Sequence, residues 1–208
     1  MKLLIFVGII AISLPVMGQS GTTVAEELTF EGKQFYEKNE YSEALMKLNQ
    51  AIKVDGKYPM AYYVRGTIKK DLGDYQGAIK DLNKALSLDA KLFEAYLQRG
   101  NVKYELQDFH GAIADYGKCI EINPKNIDAY YRRGQAKLQI ESYNEAINDC
   151  DRVISMNAQN KDAYFLRGVI KMEYGLKEEA CADLSIAGEM GDLKAFEEIK
   201  KHCQNVKY

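Results

Sequence analysis

The chain has little with which to do chemistry. Its 208 residues include only two histidines, His110 and His202, far apart in sequence, which leaves few general bases beyond carboxylates. A phosphate-cradling glycine loop, an H-E-x-x-H zinc motif, a calcium loop, a C-x-x-C pair and a G-x-S-x-G elbow are all absent from the sequence. An enzyme is therefore the least favoured class, and no cofactor or metal site is expected. Charge of one sign is lacking too: 28 basic residues face 30 acidic ones, which excludes a strongly basic nucleic-acid surface. Asn-x-Ser/Thr glycosylation acceptors are missing, which favours a bacterial over a eukaryotic source.

Long apolar runs are scarce as well. The one that stands out is LLIFVGIIAISLPVM, after Met1 and Lys2 and before Gly18. It is shorter than the roughly 20 residues a membrane-spanning helix needs. With Val16 and Gly18 as the small pair before the cut, residues 1–18 read as a secretory signal peptide, cleaved after Gly18; retention as an anchor is the alternative. The expected product is periplasmic or secreted, has no membrane span, and begins with a polar linker over residues 19–24.

What the chain has instead is a period. Gly32, Gly66, Gly100, Gly134 and Gly168 are spaced by 34 residues, as are Leu28, Tyr62, Tyr96, Tyr130 and Tyr164, and Ala44, Ala78, Ala112, Ala146 and Ala180. Five units follow, at 25–58, 59–92, 93–126, 127–160 and 161–194. In residues 93–126 the spacing predicts one helix over about 94–106 and a second over about 109–122, joined at Gln107-Asp108 and closed by Pro124. Small residues at Gly100 and Ala112 let two antiparallel backbones approach, with the ring of Tyr116 beside them. A hairpin this small cannot bury its own apolar face, so it must stack on copies of itself. After Ala187 the pattern fades; Gly188 and Gly191 are expected to break the helix. Asp192 then starts a capping helix over 192–204 with Leu193, Phe196, Ile199 and Cys203 on one side.

Tyr96, Gly100, Ala112, Tyr116 and Pro124 occupy the marker places of the tetratricopeptide repeat, which the chain resembles over residues 25–194. Departures are Arg99 in place of Leu, Lys103 in place of Tyr, and Gly56, Ala90 and Ala158 in place of Pro. The resemblance implies an all-α, right-handed superhelical solenoid of five helical hairpins plus the capping helix. It also implies a non-enzymatic module that binds a protein or peptide.

If the first helices line the concave side, places 5, 9 and 12 of each unit form a groove stripe. Its candidate partner-binding residues are Lys33, Tyr36, Tyr63, Leu97, Asn101, Tyr104, Tyr131, Gln135 and Phe165. This surface is aromatic and amide-rich, with few charges, and suits an extended peptide or helix rather than a highly charged ligand. Lys33, Asn101 and Arg132 look scattered, which argues against a clamp for a C-terminal carboxylate. The alternative is an assembly component contacting partners through its ends or convex face. A monomer is expected, binding no nucleic acid.

Two further patterns concern stability. Place 7 reads Glu31, Arg65, Arg99, Arg133, Arg167, and place 23 reads Lys47, Asp81, Asp115, Asp149, Asp183. The sign of one reverses with the other, which predicts five ion pairs inside the repeats. Cys119 and Cys150 take the places of core residues, while Cys181 and Cys203 are placed to fasten the cap through a disulfide.

Overall fold

The computed structural model describes residues 21–203; the expected signal peptide lies outside them. Among the described residues there are eleven α-helices and no strands: α1 (Gly21–Glu37), α2 (Tyr41–Val54), α3 (Pro59–Asp71), α4 (Tyr75–Leu88), α5 (Phe93–Glu105), α6 (Phe109–Ile122), α7 (Ile127–Gln139), α8 (Tyr143–Met156), α9 (Lys161–Glu173), α10 (Lys177–Glu189) and α11 (Leu193–His202). They pair as α1–α2, α3–α4, α5–α6, α7–α8 and α9–α10, each pair stacks on the next, and α11 packs on α10. The odd-numbered helices also touch in succession, from α1 through α9, so they form one continuous wall. None of the described helices is long and apolar enough to cross a membrane.

Local chemistry explains the helix ends. Asp74 and Asp108 accept hydrogen bonds from the backbone N–H of Gly77 and Gly111, at 2.9 Å in each case, and so start α4 and α6. Asn126 and Asn160 do the same for α7 and α9. Asp192 accepts from Lys194 and Ala195 at the start of α11. Gly191, at φ +85°, makes the left-handed turn just before it.

Three local expectations need correcting. Residues 21–24 of the expected linker are the first turn of α1. Gly188 does not break a helix, because it lies inside α10, where the edge of Phe196 packs over it. On α11, Ala195, Ile199 and Cys203 join the core around Leu184, whereas Leu193 and Phe196 are 78% and 54% exposed.

The cores form a string of small clusters along the stack. Leu48, Leu82, Tyr116, Cys150 and Leu184 occupy one equivalent place and are all buried. The glycine opposite lets the hairpin close: a Cβ on Gly32, Gly66 or Gly168 would stand about 2.9 or 3.0 Å from the facing leucine Cγ. On Gly100 it would meet Tyr116 Cε1 at 2.6 Å.

All five expected ion pairs form. Lys47 Nζ lies 2.5 Å from Glu31, and each arginine of the later hairpins grips its aspartate through two nitrogens, as in Arg99 to Asp115 at 2.6 and 2.9 Å. The four Arg–Asp pairs are not solvated, since Asp81, Asp115, Asp149 and Asp183 are each 3% exposed. A lysine one turn further along α3, α5, α7 and α9 completes the set: Lys69, Lys103, Lys137 and Lys171 lie 2.7–2.9 Å from the same carboxylates. Arg99 and Lys103, which departed from the family pattern, are thus two parts of one substitution matched by Asp115. Burial pushes the Asp81 carboxyl up, but hydrogen bonds and charge from Arg65 and Lys69 outweigh it and hold the group below the usual carboxylate range.

The arginines also reach backwards. Arg65 and Arg99 donate to Asn49 and Asn83 of the preceding hairpin at 2.6 Å, and Arg167 donates to Asp151 at 2.5 Å. Each later arginine lies over a tyrosine of its own helix, Tyr62, Tyr96, Tyr130 or Tyr164, with 5.4–5.6 Å to the ring centre. The result is a ladder along the stack with one missing rung, because Gly117 stands opposite Arg133 where Asn or Asp stands elsewhere.

Candidate functional site

The wall of odd-numbered helices carries a pocket of about 370 Å³ that draws on three successive hairpins. It is lined by Lys70 and Asp71 of α3, Tyr75 of α4, Asn101, Tyr104 and Glu105 of α5, Tyr116 of α6 and Arg132 of α7. Tyr116, the single tyrosine at a place otherwise held by Leu or Cys, explains part of its shape. Its ring fills the hairpin interior opposite Gly100, and its hydroxyl donates to Asn101 Oδ1 at 2.9 Å. That bond engages the amide oxygen and leaves the Asn101 NH₂ as a donor.

Burial raises the Tyr104 phenol, with Glu105 adding to the shift and Arg132 opposing it. Burial raises Tyr116 as well, again against Arg132. Both tyrosines are therefore neutral at ordinary pH, and the guanidinium lies close to both. Lys70 is held by Gln98 at 2.9 Å and Asp71 at 3.1 Å, and Asp71 also accepts from the Tyr36 hydroxyl of the preceding hairpin. Arg132 contacts Asp128 at 3.3 Å while both side chains stay about half exposed.

Two further concavities continue the wall. Towards the N-terminus, Lys33, Tyr36, Tyr63, Val64 and Thr67 line one. Towards the C-terminus, Ile127, Asp128, Tyr131, Arg132, Asn160 and Asp162 line another.

The nine residues expected to form the groove are thus divided by the structure. Lys33, Tyr36 and Tyr63 come together in the N-terminal concavity, Asn101 and Tyr104 in the central pocket, and Tyr131 in the C-terminal one. Leu97 packs on the Tyr116 cluster and Phe165 on the cluster around Cys181, between hairpins rather than in the open. Gln135 is half-buried and lines none of the three. The tyrosines at places 5 and 12 are therefore half-buried, each packed at its base and open at one side. Place 13 stays open, and Asp71 and Glu105 are missed residues of this kind.

Two electrostatic expectations also change. The central pocket is rich in charge, holding Lys70, Asp71, Glu105 and Arg132. Asn101 and Arg132 are assembled in it, and only Lys33 lies apart.

Regular spacing of small residues, hairpin pairing and a wall of first helices point to one family, and its models match. The TPR repeat model covers residues 32–70, 66–107 and 100–140, and the tetratricopeptide repeat model covers 127–160. The chain belongs to the tetratricopeptide repeat family. Beyond residue 160, α9 and α10 continue the same tetratricopeptide hairpin, with Gly168 packed on Leu184.

Among solved structures, the chain is similar to YrrB, described as a TPR protein with an unusual peptide-binding site, at 21% identity and TM-score 0.75 over 88% of this chain and 98% of that one. It is similar to MamA at 25% identity and TM-score 0.71, over 82% and 96% of the two chains. The first TPR of Spaghetti bound to the HSP90 peptide SRMEEVD aligns at 24% identity and TM-score 0.56, covering 57% of this chain and 94% of that one. No curated protein matches the chain. Tetratricopeptide repeats are in general protein-interaction modules rather than enzymes.

The cysteines divide by environment. Cys181 of α10 and Cys203 at the end of α11 are joined in a disulfide with Cα atoms 5.8 Å apart. Cys119 and Cys150 are free and buried, and burial pushes their thiols up to about 11 and about 12. Neither is a nucleophile near neutral pH.

Proposed function

We propose that this chain is an exported, non-enzymatic binding module that holds a peptide or partner protein along the wall of its odd-numbered helices. The supporting observation is the central pocket. There Asn101 presents an oriented amide, Tyr104 an aromatic face and Arg132 a half-exposed guanidinium, drawn from consecutive hairpins. Peptide backbone and side chains need that combination of oriented donors and apolar area. The peptide-binding description of YrrB and the peptide bound to Spaghetti agree with this reading. Export rests on the apolar leader. The Cys181–Cys203 disulfide supports it, since disulfides persist in oxidising compartments.

A second reading places the contacts on the ends or outer face, where Phe30, Leu193 and Phe196 are exposed. Site-specific photo-crosslinking separates the two. A crosslinker at Arg132 should capture a discrete partner in the native compartment, while one at Met46 of α2 should not. Capture from Met46 or Leu193 alone would instead favour the second reading.

A further inference from the structure

The sign of charge along the groove rim narrows the class of ligand. The last residues of α1, α3, α5, α7 and α9 are Glu37, Asp71, Glu105, Gln139 and Glu173. Four carboxylates therefore stand at helix C-termini, where the negative end of the macrodipole disfavours them. Helix stability does not account for that choice. Nor does pairing account for it throughout. Glu37 has only a loose 4.0 Å contact with exposed Lys33, and Glu105 and Glu173 have no ion pair or hydrogen bond among the described residues. Asp71 and Glu105 line the central pocket beside Asn101 and Tyr104, so the middle of the row borders the groove.

The cations of the pocket neutralise only Asp71 of the row and leave Glu105 and Glu173 without an ion pair among the described residues. Lys70 is already held by Asp71 and Gln98, and Arg132 contacts Asp128. The opposite rim is mixed. Glu94, Asp128 and Asp162 lie in the first turns of α5, α7 and α9, where the dipole favours them, and Lys57, Lys91 and Lys125 lie in the loops before α3, α5 and α7. The helix C-terminal rim therefore sets the sign.

Resting on the groove reading above, we propose that the ligand is an extended peptide carrying lysine or arginine side chains at regular intervals. Adjacent packed helices lie about 8–10 Å apart and an extended chain advances about 3.3 Å per residue. A cation at every third residue would therefore keep step with the row, meeting carboxylates at α1, α3, α5 and α9 and the neutral Gln139 at α7. The intervening side chains would lie over Tyr36, Tyr104 and the amide of Asn101, and cations also favour aromatic faces.

The test uses three fluorescein-labelled peptides of about 13 residues, a length that spans the row when extended. They are identical except for Lys, Gln or Glu at every third position, and their binding to the intact chain is followed by anisotropy. The Lys peptide should bind about tenfold more tightly than the Gln peptide, the Glu peptide most weakly, and added salt should reduce the difference. Glu105→Gln with Glu173→Gln should weaken the Lys peptide about fivefold without lowering the melting temperature, since both side chains are unpaired. Glu43→Gln on α2 should leave binding unchanged. Equal binding of Lys and Gln peptides, or an unaffected double variant, overturns the charge inference and leaves the groove reading standing. Failure of all three peptides to bind, together with no crosslink from Arg132, overturns both.

Discussion

At the scale of single residues, glycine and its opposite number decide how closely each hairpin closes. Gly100 faces the rigid ring of Tyr116 at a distance no Cβ can tolerate, while a Cβ on Gly134 would meet its nearest neighbour, the Ala146 carbonyl oxygen, at 3.5 Å and Cys150 Sγ at 3.6 Å. The same substitution should therefore have opposite effects at equivalent places. Gly100→Ala should destabilise by about 2 kcal/mol through overpacking, whereas Gly134→Ala should gain up to about 1 kcal/mol from helix propensity. Urea unfolding midpoints of the two variants check this; equal losses would show that Tyr116 yields as easily as Cys150. The sequence shows that each unit keeps a glycine at this place. It does not show that the five glycines are unequally needed, because that depends on the residue across the interface.

At the scale of the element, the arginine ladder couples each hairpin internally and joins it to its predecessor. The internal contact was legible because the signs at places 7 and 23 reverse together. The backward contact to Asn49, Asn83 and Asp151 leaves no such mark, since a neutral amide can replace a carboxylate as acceptor for a guanidinium. The gap at Gly117 makes it testable. Gly117→Asn should raise stability by about 1 kcal/mol, from removal of a mid-helix glycine plus one new hydrogen bond to Arg133. Gly117→Ala should recover only the propensity part. A double-mutant cycle combining Gly117→Asn with Arg133→Ala should yield a coupling energy; its absence would reduce the rung to a coincidence of geometry. A Cβ on Gly117 would have Arg133 Nη1 at 3.8 Å, so space is available.

At the scale of the whole molecule, the stack has two different ends. α1 has no hairpin before it among the described residues and leaves Phe30 64% exposed, at a place where Val64 and Leu166 are buried by the preceding unit. The other end is covered by α11, fastened through Cys181–Cys203 over a sequence separation of 22. Closing a loop of that length is worth about 3 kcal/mol. Contacts in a solenoid are local, so reduction, or the Cys181→Ala and Cys203→Ala pair, should release protection of α11 and the adjoining ends of α9 and α10 by that amount. Amide exchange in α3 to α6 should stay unchanged. Hydrogen exchange with and without reductant measures both. A uniform loss along the stack would mean that the hairpins unfold as one unit.

The sequence by itself determined the period, the helix pairing and the residue across each hairpin, because those contacts recur in every unit and leave the same residue types at the same places. Only the tertiary structure decided which face remains open. Of places 5, 9 and 12, read as a groove stripe, Leu97 and Phe165 are packed between helices while Tyr36, Tyr63, Asn101, Tyr104 and Tyr131 reach the concavities, and place 13 adds Asp71 and Glu105 and place 6 adds Arg132. The physical reason is that the repeat pattern encodes the contacts within a unit, whereas exposure depends on the rotation between units, which is set by packing summed over the whole stack.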